Sequence, residues 1–495
     1  MFRKFLFLNI VSVIIFSNSY ASFDFTENCK LAYQETLNLR IDMAKEYLAK
    51  EQTANPDNDL IPLIENYIDY FYILATDSKA VFDRLKKNKS SRLSRISAGD
   101  KSSPYYLFAQ AEINLQWALL RGRYQEYMLS ALEIKRAYGM LEENTHKFAD
   151  FLPNYKSLGM LNAVLGSLPS GAQKALGVLG VRGSTDEGQQ MLEDLVDRLP
   201  ESDYTIFYNE SVFYLMQVWV NITKRKNVYD EIIRCTDQMS NNSLLKTYLR
   251  AYTAFKTGNN DAAINYLQKR PKGDAYVNYP YLDYLLAMAK LHKLDLSAAA
   301  DFEKFLRQQK DVSLMKDTYL HLAYIELLKG DLSNYQTYLA KVKTEGNAYD
   351  EKDKQALNES NEEKPNPALL KARFLFDGGY YAKAKEILNK ENANHYQSAR
   401  DKIEYCYRFG RVFHETGGMA GAIKFYNYTI NFGKNSKYYY AANAALLLGD
   451  IYTQKNQYKK AAEYYHTAID MKNHDYEGSI ENKAKEGLKR INGKY

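Results

Sequence analysis

One spacing, written twice near the end of the chain, limits the fold more than any other feature. Residues 403–429 carry Gly410, Phe413, Ala422, Tyr426 and Thr429, and residues 442–468 carry Gly449, Tyr452, Ala461, Tyr465 and Ala468. In both, a glycine is followed by an aromatic three positions on, an alanine at twelve and a tyrosine at sixteen. Small residues belong where two helices cross closely, and large ones fill the gaps beside the crossing. The spacing predicts two antiparallel helices joined by a tight turn. Such a unit cannot bury its apolar face alone, so it stacks on copies of itself.

This is tetratricopeptide-repeat spacing. The same template, placed along the chain, gives anchors at Ala251, Ala289, Ala323, Ala372, Gly410 and Gly449, with steps of 38, 34, 49, 38 and 39 residues. A standard repeat is about 34 residues, so most helices here are expected to run about one turn longer. The long step holds a polar stretch, Asn347 to Pro367, which reads as a linker or a bent junction. No alternating strand pattern with hairpin turns occurs, so the expected class is all-α, an α-solenoid with an irregular helical N-terminal region. The expected division is a signal peptide over 1–21, a helical region over 22–205, a tetratricopeptide-like array over 206–345, the polar junction over 346–366 and further repeats over 367–495.

At 495 residues the chain is too long for one ordinary compact core, and a solenoid avoids that limit by growing in one dimension. Mean hydropathy is −0.50, which fits a soluble protein once processed. The start reads as an export signal: Arg3 and Lys4, then an apolar stretch from Phe5 to Phe16, then Ser19-Tyr20-Ala21 as a cleavage site. Removing it lowers the formal charge from +6 to +4, too mild for nucleic acid. Three cysteines, Cys29, Cys235 and Cys406, exclude a disulfide framework. The expected location is the periplasm or cell envelope.

Residues 158–197 contain Ser167-Leu168-Pro169, Gly180-Val181-Arg182-Gly183 and Gly188-Gln189-Gln190-Met191-Leu192. This segment resembles the tetratricopeptide repeat protein 39, or inclusion-body-clearance, family. The resemblance implies a helical solenoid without catalytic residues to carry over. Best-known members are intracellular and eukaryotic, so the export signal points to a secreted bacterial relative.

The motifs of chemistry are missing from the sequence. The seven histidines show no metal-ligand spacing, and neither a nucleophile elbow nor a phosphate loop occurs. No enzymatic activity, metal or cofactor is expected. Two other segments have alternative readings. Leu158–Gly183 is either an apolar hairpin touching a membrane or partner, or one tucked into the N-terminal region. The basic run Arg84 to Arg95 is either a contact for anionic lipid or an acidic partner, or a solvated helix end and flexible loop.

Function is expected in the concave groove. Counting inward positions from each anchor gives Tyr248, Tyr252, Lys290, Tyr324, Arg373, Tyr407, Arg411, His414, Asn443 and Asp450 as binding candidates. Aromatic and arginine side chains supply binding hot spots. The leading expectation is a scaffold binding protein partners or segments. The alternative is a glycan- or small-ligand-binding envelope protein, favoured if Tyr248, Tyr252, Tyr324 and Tyr407 form one platform. A peripheral membrane contact is a secondary expectation.

Overall fold

The computed structural model describes residues 23–493 except 169, 179, 226 and 310–312. The export signal expected over 1–21 lies outside the described residues. Among them the ordered elements are helices, with no strand. The chain is an all-α solenoid of consecutive helical hairpins.

The repeat spacing maps onto these hairpins directly. Helices Leu244–Lys256 and Asn260–Gln268 form one pair, and Tyr281–His292 with Ala298–Gln308 the next. Met315–Lys329 with Leu332–Thr344 follow, then Pro367–Asp377 with Tyr381–Asn389. Ala399–Glu415 pairs with Met419–Gly433, and Tyr440–Gln454 with Tyr458–Asp470, before a last helix, Glu477–Ile491. The glycine anchors are needed for close approach. A Cβ on Gly410 would lie 2.5 Å from Cδ1 of Tyr426, and one on Gly449 would strike the ring of Tyr465. Both tyrosines are fully buried in these notches. In other pairs leucine fills the same place: Leu267 and Leu388 are fully buried, each worth about 2 kcal/mol of apolar burial.

The polar stretch read as a linker holds a helix, Glu351–Glu359, that packs on Met315–Lys329. Asp350 caps its start by accepting the N–H of Asp353 at 3.0 Å. The Asp353 carboxylate in turn accepts the N–H groups of Leu314 (2.7 Å) and Asp317 (3.0 Å), at the start of the helix beneath. A fully buried carboxylate thus joins the junction to the array.

The N-terminal region packs its helices around one core that continues into the first repeats. Helix Pro153–Ser167 crosses Thr185–Arg198 closely, because Gly188 sits against the backbone of Gly159 and Ala163. The glycine-rich segment singled out in sequence is therefore a helix crossing. Leu158, Leu161 and Leu165 are buried there, while Val178, at the end of Ser170–Val178, is exposed.

The array also folds back on what precedes it. Val277 donates its N–H to the Leu39 carbonyl (2.8 Å). Gln309 donates to Asp77 (3.3 Å), and Tyr380 to Asp261 (2.9 Å). Leu39, Asp77 and Gln309 line the first cavity described next.

Candidate functional site

A cavity of about 460 Å³ lies where the N-terminal region meets the first repeats. Tyr248 and Tyr252 are one turn apart on helix Leu244–Lys256, so their rings face the same way. They stack at 5.4 Å and 20°. Tyr279 and Tyr281, entering the next helix, stand 6.2 and 6.3 Å from Tyr248. Tyr70 and Tyr214 close the wall from the N-terminal side. The polar corner is an Arg123–Asp77 fork, with both bonds at 2.6 Å. Burial raises the phenols of Tyr248, Tyr252 and Tyr281, which stay neutral hydrogen-bond donors. The cavity offers aromatic faces, hydroxyl tips and one neutralised ion pair, which suits shape recognition of a largely apolar group.

A second, more polar cavity of about 660 Å³ opens between the junction helix and the last repeats. Its organiser is Glu359. It accepts the Tyr324 hydroxyl at 2.7 Å, both Arg373 amino groups at 3.1 and 3.3 Å, and Gln355 at 2.6 Å. Burial alone would push this carboxyl up. Arg373 and the hydrogen bonds outweigh it and hold the group down at about 2.

A third cavity, about 340 Å³, is lined by Trp219, Asn221, Lys224, Arg225, Lys256 and their neighbours. It follows a π-helical turn, Val218–Ile222, after which Lys224 adopts φ +51°.

The ten candidate side chains are distributed rather than gathered. Tyr248 and Tyr252 line the first cavity, and Tyr324, Arg373 and Asn443 the second. Lys290 is paired with Asp301 at 2.5 Å. Tyr407 is 1 % exposed, and its hydroxyl accepts from Asn443 (2.6 Å) and Arg411 (3.2 Å). Arg411 lies 4.7 Å over the Phe376 ring, and His414 Nδ1 is 3.2 Å from the Tyr426 hydroxyl. Asp450 accepts from Tyr465 at 2.8 Å and from Arg490 at 3.4 Å. The platform of Tyr248, Tyr252, Tyr324 and Tyr407 is not assembled. Tyr324, at 4 % exposure, and Tyr407 are covered by the elements that follow them.

Part of the basic run is spent inside the protein. Lys89 meets Glu133 at 2.5 Å and Arg92 meets Asp69 at 2.7 Å, both buried. Arg84, Lys87 and Arg95 are exposed, and Arg95 donates to the carbonyls of Pro56 and Asn58 at 2.7 and 2.9 Å. Tyr70, Tyr214, Arg123, Asp77 and Lys224 are site residues that sequence reasoning missed. The aromatic density of Ile61–Thr76 was a signal for the first of them, and the others carry no local motif.

No protein-family model matches the chain, and no curated protein does. A solved structure similar to it is the crystal structure of yeast Tom70, at 13% identity over 94% of this chain and 89% of that one, with a TM-score of 0.25. A TM-score that low carries no argument, and the solenoid stands on its own hairpins.

Proposed function

We propose that this protein is a non-enzymatic helical-repeat scaffold that holds a segment of a partner protein at the seam between its N-terminal region and its array. The observation that carries the reading is the tyrosine cavity, with Tyr248, Tyr252, Tyr279 and Tyr281 presented by consecutive elements of the solenoid. Tyrosine supplies large contact area at low entropy cost, as protein-binding surfaces require. Binding rather than catalysis is supported by two of the carboxyls raised by burial. Glu210 and Asp353 are 1 % and 0 % exposed and serve other parts of the fold. The basic and apolar start of the sequence supports an exported, periplasmic or envelope location. The glycine-mediated crossing of 153–167 with 185–198 supports kinship with a secreted branch of the tetratricopeptide repeat protein 39 family.

The test is a photo-crosslinking residue in place of Tyr252, compared with one in place of the exposed Tyr428. The Tyr252 position is expected to trap one or a few polypeptides from the native source, and the Tyr428 position none of them. Equal trapping at both, or none at Tyr252, overturns the reading. The stacked Tyr248–Tyr252 pair favours a second reading, a sugar ring held on its faces. Carbohydrate-dependent thermal stabilisation, with no polypeptide trapped, selects it.

A further inference from the structure

The tyrosine cavity and the cationic cavity are bridged by a hydrogen bond. Tyr252 lines the first, and its hydroxyl donates to Asn221 Oδ1 at 2.7 Å in the second. Lys256, one turn further along the same helix, places its Nζ 6.0 Å from the centre of the Tyr252 ring. The cationic cavity is lined by Lys224, Arg225 and Lys256 and by no carboxylate. Arg225 is already committed: it pairs with Glu193 (2.5 Å) and Glu231 (3.1 Å) and stacks over Trp219 at 4.6 Å. Lys224 and Lys256 are exposed, and among the described residues neither has an ion-pair partner.

Further positive charge acts on both lysines. Surrounding protein partly desolvates the Lys256 ammonium although its side chain reaches solvent, and this, then Lys352 and Lys224, hold it below its ordinary value, with Asp377 opposing them. Partial desolvation, then Lys483 and Arg411, do the same to Lys224. Like charges held together without an ion-pair partner cost free energy that an anionic ligand recovers. The backbone here is also unusual. A π-turn followed by a non-glycine residue at positive φ is a conformation that concentrates at functional sites.

We propose that the two cavities form one docking site for an acidic protein segment, with carboxylates on Lys224 and Lys256 and an adjacent aromatic or large apolar side chain among Tyr248, Tyr252 and Tyr281. This rests on the scaffold reading and specifies the chemistry of its partner. Charge complementarity selects the acidic segment, and the hydroxyl-rimmed aromatic cavity beside it selects the apolar neighbour.

The probe is a fluorescent peptide with a Phe-Leu pair followed by consecutive glutamates, read by anisotropy against the full chain. Binding is expected to weaken at least about tenfold in the Lys224→Ala, Lys256→Ala double variant and to fall as salt rises. Both lysines are exposed, so the variant keeps the wild-type melting temperature. Replacing Phe-Leu by Ser-Ser is expected to weaken binding to wild type and to Tyr248→Ala by unequal factors, because the tyrosine and the aromatic side chain share one contact. The proposal is overturned by any of four results: no binding of the peptide, a double variant within about twofold of wild type, equal binding of a lysine-for-glutamate peptide, or tighter competing binding of an RNA oligonucleotide. A neutral or basic segment trapped from position 252 overturns this chemistry alone and leaves the scaffold reading standing.

Discussion

The N-terminal region and the repeat array are both built from helical hairpins, but they are held together by interactions of different range. In the N-terminal region Lys156 is fully buried, with its Nζ 2.7 Å from Glu112, 2.9 Å from Glu210 and 2.9 Å from the Tyr67 hydroxyl. Tyr33 and Ser157 donate to the same two carboxylates. Burial pushes Glu210 up, while Glu112 and Glu210 overcome burial to hold the Lys156 ammonium above its ordinary value. These residues sit on Glu27–Leu37, Ile61–Thr76, Pro104–Arg123, Pro153–Ser167 and Tyr208–Gln217, so the cluster is complete only when five separate helices are in place. Apart from the returns at Val277, Gln309 and Tyr380, the array instead joins near neighbours, as in Gly449 against Tyr465 or Lys290 with Asp301. Long-range charge closure makes one region a cooperative unit. Short-range packing makes the other divisible, as expected of a quasi-one-dimensional array.

The largest effect that would break this comparison comes from Lys156→Met. It leaves two buried carboxylates without their countercharge, at a cost of about 3–5 kcal/mol. Hydrogen exchange should show protection falling together in 61–76, 104–123, 153–167 and 208–217, while 440–470 keeps its protection. Equal loss in the last repeats would mean that the array and the N-terminal region unfold as one body.

A smaller effect tests the other half. Gly449→Val forces a branched side chain into the space of the Tyr465 ring, which Gly487 also abuts. Overpacking of this kind costs about 1–3 kcal/mol. The loss should be confined to Tyr440–Ile491, visible as early exchange there with the N-terminal region unchanged. Destabilisation extending back to the first repeats would contradict nearest-neighbour stability.

The same difference in range decides what could be read from the sequence. The hairpins were legible because the glycine and the tyrosine that fills its notch lie sixteen positions apart, within one repeat. The tyrosine cavity was half legible: counting found Tyr248 and Tyr252, but Asp77, Arg123 and Tyr214 arrive from helices whose packing has no local signature. Counting also assigned groove positions to Tyr324 and Tyr407, whose directions depend on later elements. Glu359 and Asn443, respectively, cover their hydroxyls. The junction helix was read as a linker because it is polar. Its one deeply buried charged group, Asp353, is explained only by N–H groups 36 and 39 positions earlier.

That junction gives the smallest effect, and it sharpens the boundary between the two regimes. Burial, then the charge of Asp350, push the Asp353 carboxyl up to about 7. An acid raised on folding keeps a proton that the unfolded chain releases. Its stabilisation is therefore full below about pH 4 and is lost as pH rises toward about 7. Asp353→Asn cannot titrate, and its amide nitrogen cannot accept one of the two N–H groups now bound. At pH 4 it should be less stable than the wild type by about 1 kcal/mol, and its stability should depend less on pH. Melting temperatures followed from pH 4 to pH 7 should fall by a few degrees more in the wild type than in the variant. Parallel curves would show that Asp353 is already ionised in the folded protein, with the N–H groups of Leu314 and Asp317 outweighing burial. The junction would then be held by charge in the manner of the N-terminal cluster rather than by packing.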